Sequence, residues 1–404
     1  MQSWDNLLSG MCGIDAITIF STDGLPCKIA AEIKTDKDSD IFFDESLYVS
    51  PKDRRKIDRF ILYGIAASDQ AVKDSGWVPE SDYDREMTSV IVGSGIGGLP
   101  LTEDSAIRLK EYGFKKISPF TIPGILPNLL PGHIAIRNKY FGVNMSIVTA
   151  CASGSHAIGN AFDMIRYGKA NVVLAGGAEA ALTPLSVAGF GAGRALSTGF
   201  NDNPKNASRP WDRDRDGFVI GEGAGMIVLE NYEHAKRRGA KIYAELSGYG
   251  FSCDAYHITA PSSDGAGAVR AMSAAIKDAG ISVDDIGYIN AHGTSTPIGD
   301  EMEINAILKL FNVDNRSDML CVSSTKSLIG HLLGAAGGVE AVVSILSLIN
   351  NIVHPTINLY NPIIEHKNLD LIPHKSKEVE LKHAMSNSFG FGGTNACLVF
   401  SKNQ

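Results

Sequence analysis

The chain has 404 residues, 44% hydrophobic and 20% charged, which is the balance of a folded globular protein and excludes a disordered one. Its net charge of −8 argues against general nucleic-acid binding. The opening "MQSWDNLLSG" has no basic-then-apolar leader pattern, so a location in a bacterial cytoplasm or an organelle matrix is expected, with no membrane partner.

In chain order, short apolar strands alternate with helical segments. "MTSVIVGSG" (87–95) reads as a buried strand. "NMSIVTA" (144–150) is a second, followed by a helix with Ala157, Ile158, Ala161, Phe162 and Ile165 on one face. "ANVVLAGGAEA" (170–180) is a third strand, and residues 221–250 hold two more around a short helix. The alternation then returns. "AVRAMSAAIKDAG" (268–280) is a helix closed by glycine, residues 285–311 read strand, loop, helix, and residues 320–350 read strand, loop, long apolar helix. That last helix is apolar on nearly every side, so it is expected between two sheets. Its glutamate and glycines speak against a bilayer span. No Pro-rich or charged linker divides the chain. Two β/α halves fused into one body are expected, 1–240 and 241–404.

Four glycine-lined junctions follow strands, where α/β sheets present ligands. Gly93, Gly95 and Gly98 satisfy G-x-G-x-x-G, but Pro100 interrupts at once and no acidic residue ends a second strand nearby, so no dinucleotide site is expected. Cys151, in "TACASGSHAIG", sits among small residues at a helix start, where free N–H groups and the dipole favour a thiolate nucleophile. The bland alternative is a core thiol. His292 lies in "NAHGTSTPIGD", trailed by Thr294 and Thr296, whose hydroxyls suit a polar chain. His331 follows Lys326 by five residues in "STKSLIGHLLGAAGG", and Glu340 is a candidate partner for that lysine if it is buried. The six cysteines, at 12, 27, 151, 253, 321 and 397, form no C-x-x-C pair or Cys/His group at metal spacing, so no metal site is expected.

Together these segments, with "NSFGFGGTNACLVF", "SRPWDRDRDGFVIGEGAGMIVLE" and "CDAYHITAPSSDG", resemble the β-ketoacyl-acyl carrier protein synthases over nearly the whole chain, most closely the elongating type II branch. The resemblance implies an α/β thiolase-like fold: two βαβαβαββ halves, helices between two five-stranded sheets, layers αβαβα. It also implies that the first strand of the N-terminal half, taken as the middle of its sheet, is missing from this chain.

The activity implied is a decarboxylating Claisen condensation in fatty acid elongation. Cys151 would take the acyl group from acyl carrier protein, with the N–H groups of Cys151 and Phe391 as oxyanion hole. His292 and His331 would each donate from Nε2 to the malonyl thioester oxygen as the enolate forms. Lys326 would position His331, with Glu340 as its counter-ion. By the same resemblance Thr294 and Thr296 hold the phosphopantetheine arm, Phe391 gates, and Ile96 and Phe389 line the substrate site. Lys52, Arg55, Lys56, Lys115 and Lys116 would dock the acidic carrier protein. The substrates ride on 4'-phosphopantetheine of that carrier and no cofactor is bound by the enzyme. A homodimer is implied. A thiolase would need a second cysteine acting as acid/base, and the initiating synthases replace one histidine by asparagine. A non-catalytic chain-length-factor-like partner lacks the nucleophile, and a polyketide ketosynthase stays open as an alternative.

Overall fold

The computed structural model describes residues 2–36 and 42–403. The first half builds a four-stranded sheet from β1 (Thr88–Gly93), β2 (Asn144–Ile147), β3 (Val172–Glu179) and β4 (Gly223–Glu230). The order is β2-β1-β3-β4, with β1 parallel to β2 and β3, and β4 antiparallel to β3. The second half repeats it with β5 (Ala244–Cys253), β6 (Ile286–Asn290), β7 (Leu320–Ser323), β8 (His383–Gly390) and β9 (Thr394–Lys402) in the order β7-β6-β8-β9-β5. Strand β6 is parallel to β7 and β8, and β9 is antiparallel to β8 and β5. A two-residue strand, Leu369–Asp370, extends the β7 edge.

Every residue of β1 and β3 is buried, which is why they read as continuous apolar runs: helices cover both faces. Helix α1 (Arg59–Ser75) covers the outer face of the first sheet, α2 (Ser153–Arg166) and α5 (Ala336–Asn350) lie between the sheets, and α3 (Ala266–Ala279) covers the outer face of the second. Helix α4 (Pro297–Leu310) follows β6 and packs beside α3. The layers are therefore αβαβα. Both outer helices end on a left-handed glycine, Gly76 and Gly280.

The central layer is held by backbone meeting backbone. A Cβ on Gly338 of α5 would stand 2.4 Å from the Gly225 carbonyl oxygen and 2.6 Å from the Gly177 nitrogen. Glycine there lets α5 settle directly on β3 and β4.

Two expectations are corrected. The strand missing from the first half is not a middle one. In the second half the unmatched strand is β5, at the sheet edge beside β9, and the other four strands of each half correspond without a gap. The first sheet is thus continuous, and among the described residues β4 has no second neighbour. Nor does Pro100 prevent a helix. Leu99–Tyr112 is helical with Pro100 in its first turn, where the missing N–H costs nothing.

Candidate active site

Cys151 stands in a tight turn between β2 and α2. Ala150 takes a left-handed φ of 50°, and Ser153 braces the turn by accepting from the Thr149 N–H and donating to the Ala150 carbonyl. The Phe391 backbone bonds the thiol, and Thr394 at the start of β9 donates to the Thr149 carbonyl at 3.0 Å. Burial pushes the Cys151 thiol up to about 12, against the pull of Lys326 and the Phe391 backbone, with Glu179 and Glu340 adding to the rise. Desolvation is the largest influence on this thiol and opposes the thiolate that the helix start favours.

His292 ends the strand run of β6. Its backbone N–H and that of Gly293 donate to the two oxygens of Glu303 at 2.9 and 2.7 Å. His331 is set by its N–H to the Val219 carbonyl at 2.7 Å, and its Nδ1 accepts from the Leu333 N–H at 3.3 Å. An Nδ1 that accepts puts the ring proton on Nε2, a tautomer assigned from the hydrogen-bond network. The Nδ1 of His292 is buried without a hydrogen-bond partner among the described residues. A bare lone pair there costs less than a bare N–H, which again favours the proton on Nε2. The two rings lie edge to face with centroids 5.3 Å apart. Burial first, then Lys326, holds both well below the usual imidazole value, and His331 adds to the effect on His292. Both rings are neutral.

Lys326 is 1% exposed and donates to Glu340, which is equally buried. Its charge reaches Cys151, His292 and His331 alike. Phe389, on β8, packs its edge to His292 with ring centroids 5.9 Å apart. Thus Cys151, His292, His331 and Glu340, far apart in sequence, are all brought within electrostatic reach of Lys326, with Phe389 against His292 and the Phe391 backbone against Cys151. The Phe391 ring is 40% exposed. Thr294 and Thr296 continue outward from His292, their hydroxyls 3.0 Å apart.

Ile96 belongs to the glycine loop after β1. That loop's N–H groups already have an anion. Glu179, wholly buried, accepts from the N–H of Gly95, Ile96, Gly97 and Gly334 and from the Ser94 hydroxyl. These donors are already engaged by a carboxylate, which argues against a phosphate at this loop.

The basic residues lie on the surface. Lys52, Arg55, Lys115 and Lys116 are exposed, and no salt bridge engages them among the described residues. Lys56 is paired with Asp53 at 2.6 Å and rests over the Phe120 ring, which joins the two basic segments.

Family models of the Beta-ketoacyl synthase N-terminal domain and C-terminal domain match residues 1–235 and 243–360. The chain belongs to the beta-ketoacyl synthase family. It is 53% identical over 400 residues to 3-oxoacyl-[acyl-carrier-protein] synthase 2 of Rhizobium meliloti, covering 99% of this chain and 94% of that one. A mitochondrial 3-oxoacyl-[acyl-carrier-protein] synthase of Arabidopsis thaliana is 46% identical over 415 residues, covering 99% and 89%. Among solved structures, a beta-ketoacyl synthase from Burkholderia phymatum superimposes with a TM-score of 0.87 at 32% identity, covering 99% and 94%. A type II PKS ketosynthase, solved with its acyl-carrier protein, gives 0.86 at 32% identity, covering 99% and 94%.

Three carboxylates of this synthase site escaped the sequence reading. Glu303 holds the His292 turn, Asp300 accepts from the Ser295 and Trp211 N–H groups at 3.0 and 2.9 Å, and Glu179 holds the Ile96 loop. Burial raises all three, Asp300 to about 7. For the first two a signal existed: Asp300 and Glu303 are one turn apart in "GDEMEINAIL", interleaved with Met302, Ile304 and Ile307, which helix α4 buries. Glu179 had none, because its partners are backbone groups.

Proposed function

We propose that the chain catalyses decarboxylating Claisen condensation of an acyl-enzyme thioester with malonyl-acyl carrier protein, giving 3-oxoacyl-acyl carrier protein in fatty acid elongation. The observation that carries it is two neutral imidazoles, edge to face, gathered with a single thiol around the buried Lys326. In the first step the Cys151 sulfur attacks the acyl thioester. The carbonyl oxygen gathers charge toward the Cys151 and Phe391 N–H groups. The C–S bond to the carrier breaks, and the proton lost by Cys151 ends on the departing pantetheine thiol. A thiol held near pH 12 therefore suffices, since the exchange releases no net proton.

Malonyl thioester then enters, its oxygen taking the Nε2–H groups of His292 and His331. Carbon dioxide leaves with its bond electrons remaining on the substrate as an enolate, and the two donors stabilise charge that exists only after bond cleavage. The enolate carbon attacks the acyl carbon, and the Cys151 sulfur leaves as a thiolate that takes one proton from solvent to restore the thiol. Neutral imidazoles fit this work, because an imidazolium would give its proton to the enolate and quench it. Burial keeps both rings neutral, Lys326 adds to that effect, and Glu340 balances Lys326.

Thr294 and Thr296 serve the phosphopantetheine arm, Phe391 gates the mouth, and Ile96 bounds the acyl chain. The exposed Lys52, Arg55, Lys115 and Lys116 attract the acidic carrier protein, with Lys56 as the hinge of that patch. A homodimer is supported by β2, which pairs on one side only and is flanked by exposed Phe141, Val143 and Val148. We read 1–240 and 241–404 as the two halves of one body, working in a bacterial cytoplasm or an organelle matrix. Fatty acid elongation is preferred to polyketide synthesis because the 53% identical relative is named 3-oxoacyl-[acyl-carrier-protein] synthase 2, whereas the polyketide neighbour is 32% identical. The test is to load Cys151 from an acyl carrier protein, add malonyl carrier protein and weigh the product. Gain of two carbons and one oxo group is expected; an unloaded Cys151 would overturn the reading.

A further inference from the structure

Lys326 carries its charge on a turn that is gripped at each of its residues, 324–327. Three of the grips come from "HPTI" (354–357), in the segment that follows α5. Thr356 Oγ1 accepts the Ser324 N–H at 3.2 Å, and the Ile357 N–H donates to Ser327 Oγ at 3.1 Å. His354 Nε2 stands 3.0 Å from the Thr325 hydroxyl. The fourth grip is Ser208 of the first half, whose hydroxyl donates to the Lys326 carbonyl at 2.7 Å.

His354 is the grip with a choice of partners. Its Nε2 is also 3.2 Å from the Tyr288 and Ser323 hydroxyls, and all four side chains are wholly buried. Its Nδ1 lies 3.0 Å from the Pro355 carbonyl, which can only accept. The proton is therefore on Nδ1 and Nε2 is an acceptor, a tautomer assigned from the hydrogen-bond network. Burial pushes this imidazole down to about 4, against the pull of the Pro355 carbonyl, so the ring is neutral. The titratable and charged groups around it are Tyr288, Cys321 and the Lys326–Glu340 pair. Tyr288 and Ser323, 3.0 Å apart, satisfy one another. That leaves Nε2 to Thr325, whose oxygen in turn accepts from Asn290 Nδ2 at 3.0 Å. The bonds then run one way, from Asn290 to Thr325 to His354 to the Pro355 carbonyl. Asn290 stands two residues before His292 and Thr325 one before Lys326, so this chain ties the two turns together.

We propose that His354 is a positioning residue for the condensation: by accepting from Thr325 it sets where the Lys326 charge stands relative to His292 and His331. The inference rests on the two-imidazole decarboxylation put forward above. A leucine at 354 would fill the space but offer no acceptor. Thr325 would then turn its proton to Asn290 Oδ1, 3.2 Å away, and the tie would end there. Lys326 would be held less closely against the two imidazoles, and its repulsion of their protonated forms would weaken. A glutamine would place an amide oxygen where Nε2 accepts.

The test follows carbon dioxide release from malonyl carrier protein against pH, beside single-turnover acylation of Cys151. His354→Leu should lower kcat for release about three- to tenfold, the worth of one neutral hydrogen bond, with KM unchanged. Its acid limb should move up in pH, because less strongly repelled imidazoles take protons sooner. Acylation should keep its rate, and His354→Gln should restore both the rate and the limb. In the Lys326→Met/Glu340→Gln background, adding His354→Leu should move the limb no further, since the charge it positions is gone. Should His354→Leu fold poorly, Thr325→Val gives the same reading, with Thr325→Ser as its rescue. An unmoved limb, an equal loss of acylation, a glutamine that behaves as leucine, or a further shift without Lys326 would each overturn the proposal. Wild type that releases no carbon dioxide would overturn the decarboxylation reading itself, a result distinct from all of these.

Discussion

His292 and His331 meet with ring planes at 88° and centroids 5.3 Å apart, one ring held by a β6 turn and the other by the loop before α5. Neither half of the fold alone fixes this pair, since the Val219 carbonyl of the first half anchors His331. In His331→Ala one of two donors to the enolate oxygen is lost. Malonyl decarboxylation should fall roughly 10²–10³-fold. Acylation of Cys151, which uses backbone donors, should stay near the wild-type rate. Single-turnover assays of the two half-reactions separate these outcomes, and equal loss in both would contradict the division of labour.

A thiol raised to about 12 by burial predicts how Cys151 meets an alkylating agent. Its iodoacetamide rate should climb about tenfold per pH unit from 7 to 9 with no plateau, as the thiolate fraction does far below its pKa. A plateau near pH 7 would show a standing thiolate instead. Cys151→Gln should end acyl transfer yet leave malonyl decarboxylation, because the two imidazoles are untouched.

Lys326 lowers both histidines by repelling their protonated forms. Removing the cation must therefore raise their values, moving the acid limb of decarboxylation upward in pH. Lys326→Met alone would strand Glu340 in the core, a loss of about 3–5 kcal/mol. The double variant Lys326→Met/Glu340→Gln avoids that charge. Wild type should hold its decarboxylation rate from pH 8 down through 6, where the histidines are still neutral. The double variant should decline at a higher pH than wild type, as imidazolium forms. A limb that does not move would remove Lys326 from the electrostatic role.

The sequence pointed to the candidate reacting groups and to the layer order because both leave local marks. Cys151, His292 and His331 each sit where an apolar run breaks into small residues, and α5 shows its central position by being apolar on nearly every side. Three features left no such mark. The protonation of Cys151 depends on burial and on charges scattered over the chain. The position of the unmatched strand depends on pairing order, which the comparison of β5 with β4 reveals only in three dimensions. The glycine loop looked like a phosphate cradle, and only the fold brings Glu179 to it, from 82 residues along the chain at Gly97.

The packing of α5 on the first sheet gives a stability prediction. Gly338→Ala would drive a methyl into the Gly225 carbonyl, 2.4 Å away, and both partners are backbone. Helix propensity favours alanine by up to about 1 kcal/mol. Overpacking costs about 1–3 kcal/mol, so the net sign is destabilising. Urea unfolding should show a lower midpoint with an unchanged slope; a higher midpoint would mean that the helix shifts freely.

Glu179→Gln tests how one carboxylate supports two loops. Oε2 accepts from Gly95 at 2.6 Å and Gly334 at 3.0 Å, while Oε1 accepts from Ser94 at 2.9 Å and Gly97 at 3.1 Å. An amide nitrogen at the Oε2 position would face two N–H groups that cannot turn away. At the Oε1 position it faces the Ser94 hydroxyl, which can rotate to accept, and only the Gly97 N–H loses its oxygen. The substituted amide should therefore take the second orientation, at a cost of about 1–3 kcal/mol for the strained donor. The Gly334 contact survives, so the turn after His331 keeps its shape and decarboxylation should be nearly unchanged. The Ile96 loop is the side that loosens, so the range of acyl chains accepted should widen. Competition between short and long acyl carrier proteins, read by product mass, measures this. A fall in decarboxylation with an unaltered acyl range would show that Glu179 serves the histidine turn and not the acyl pocket.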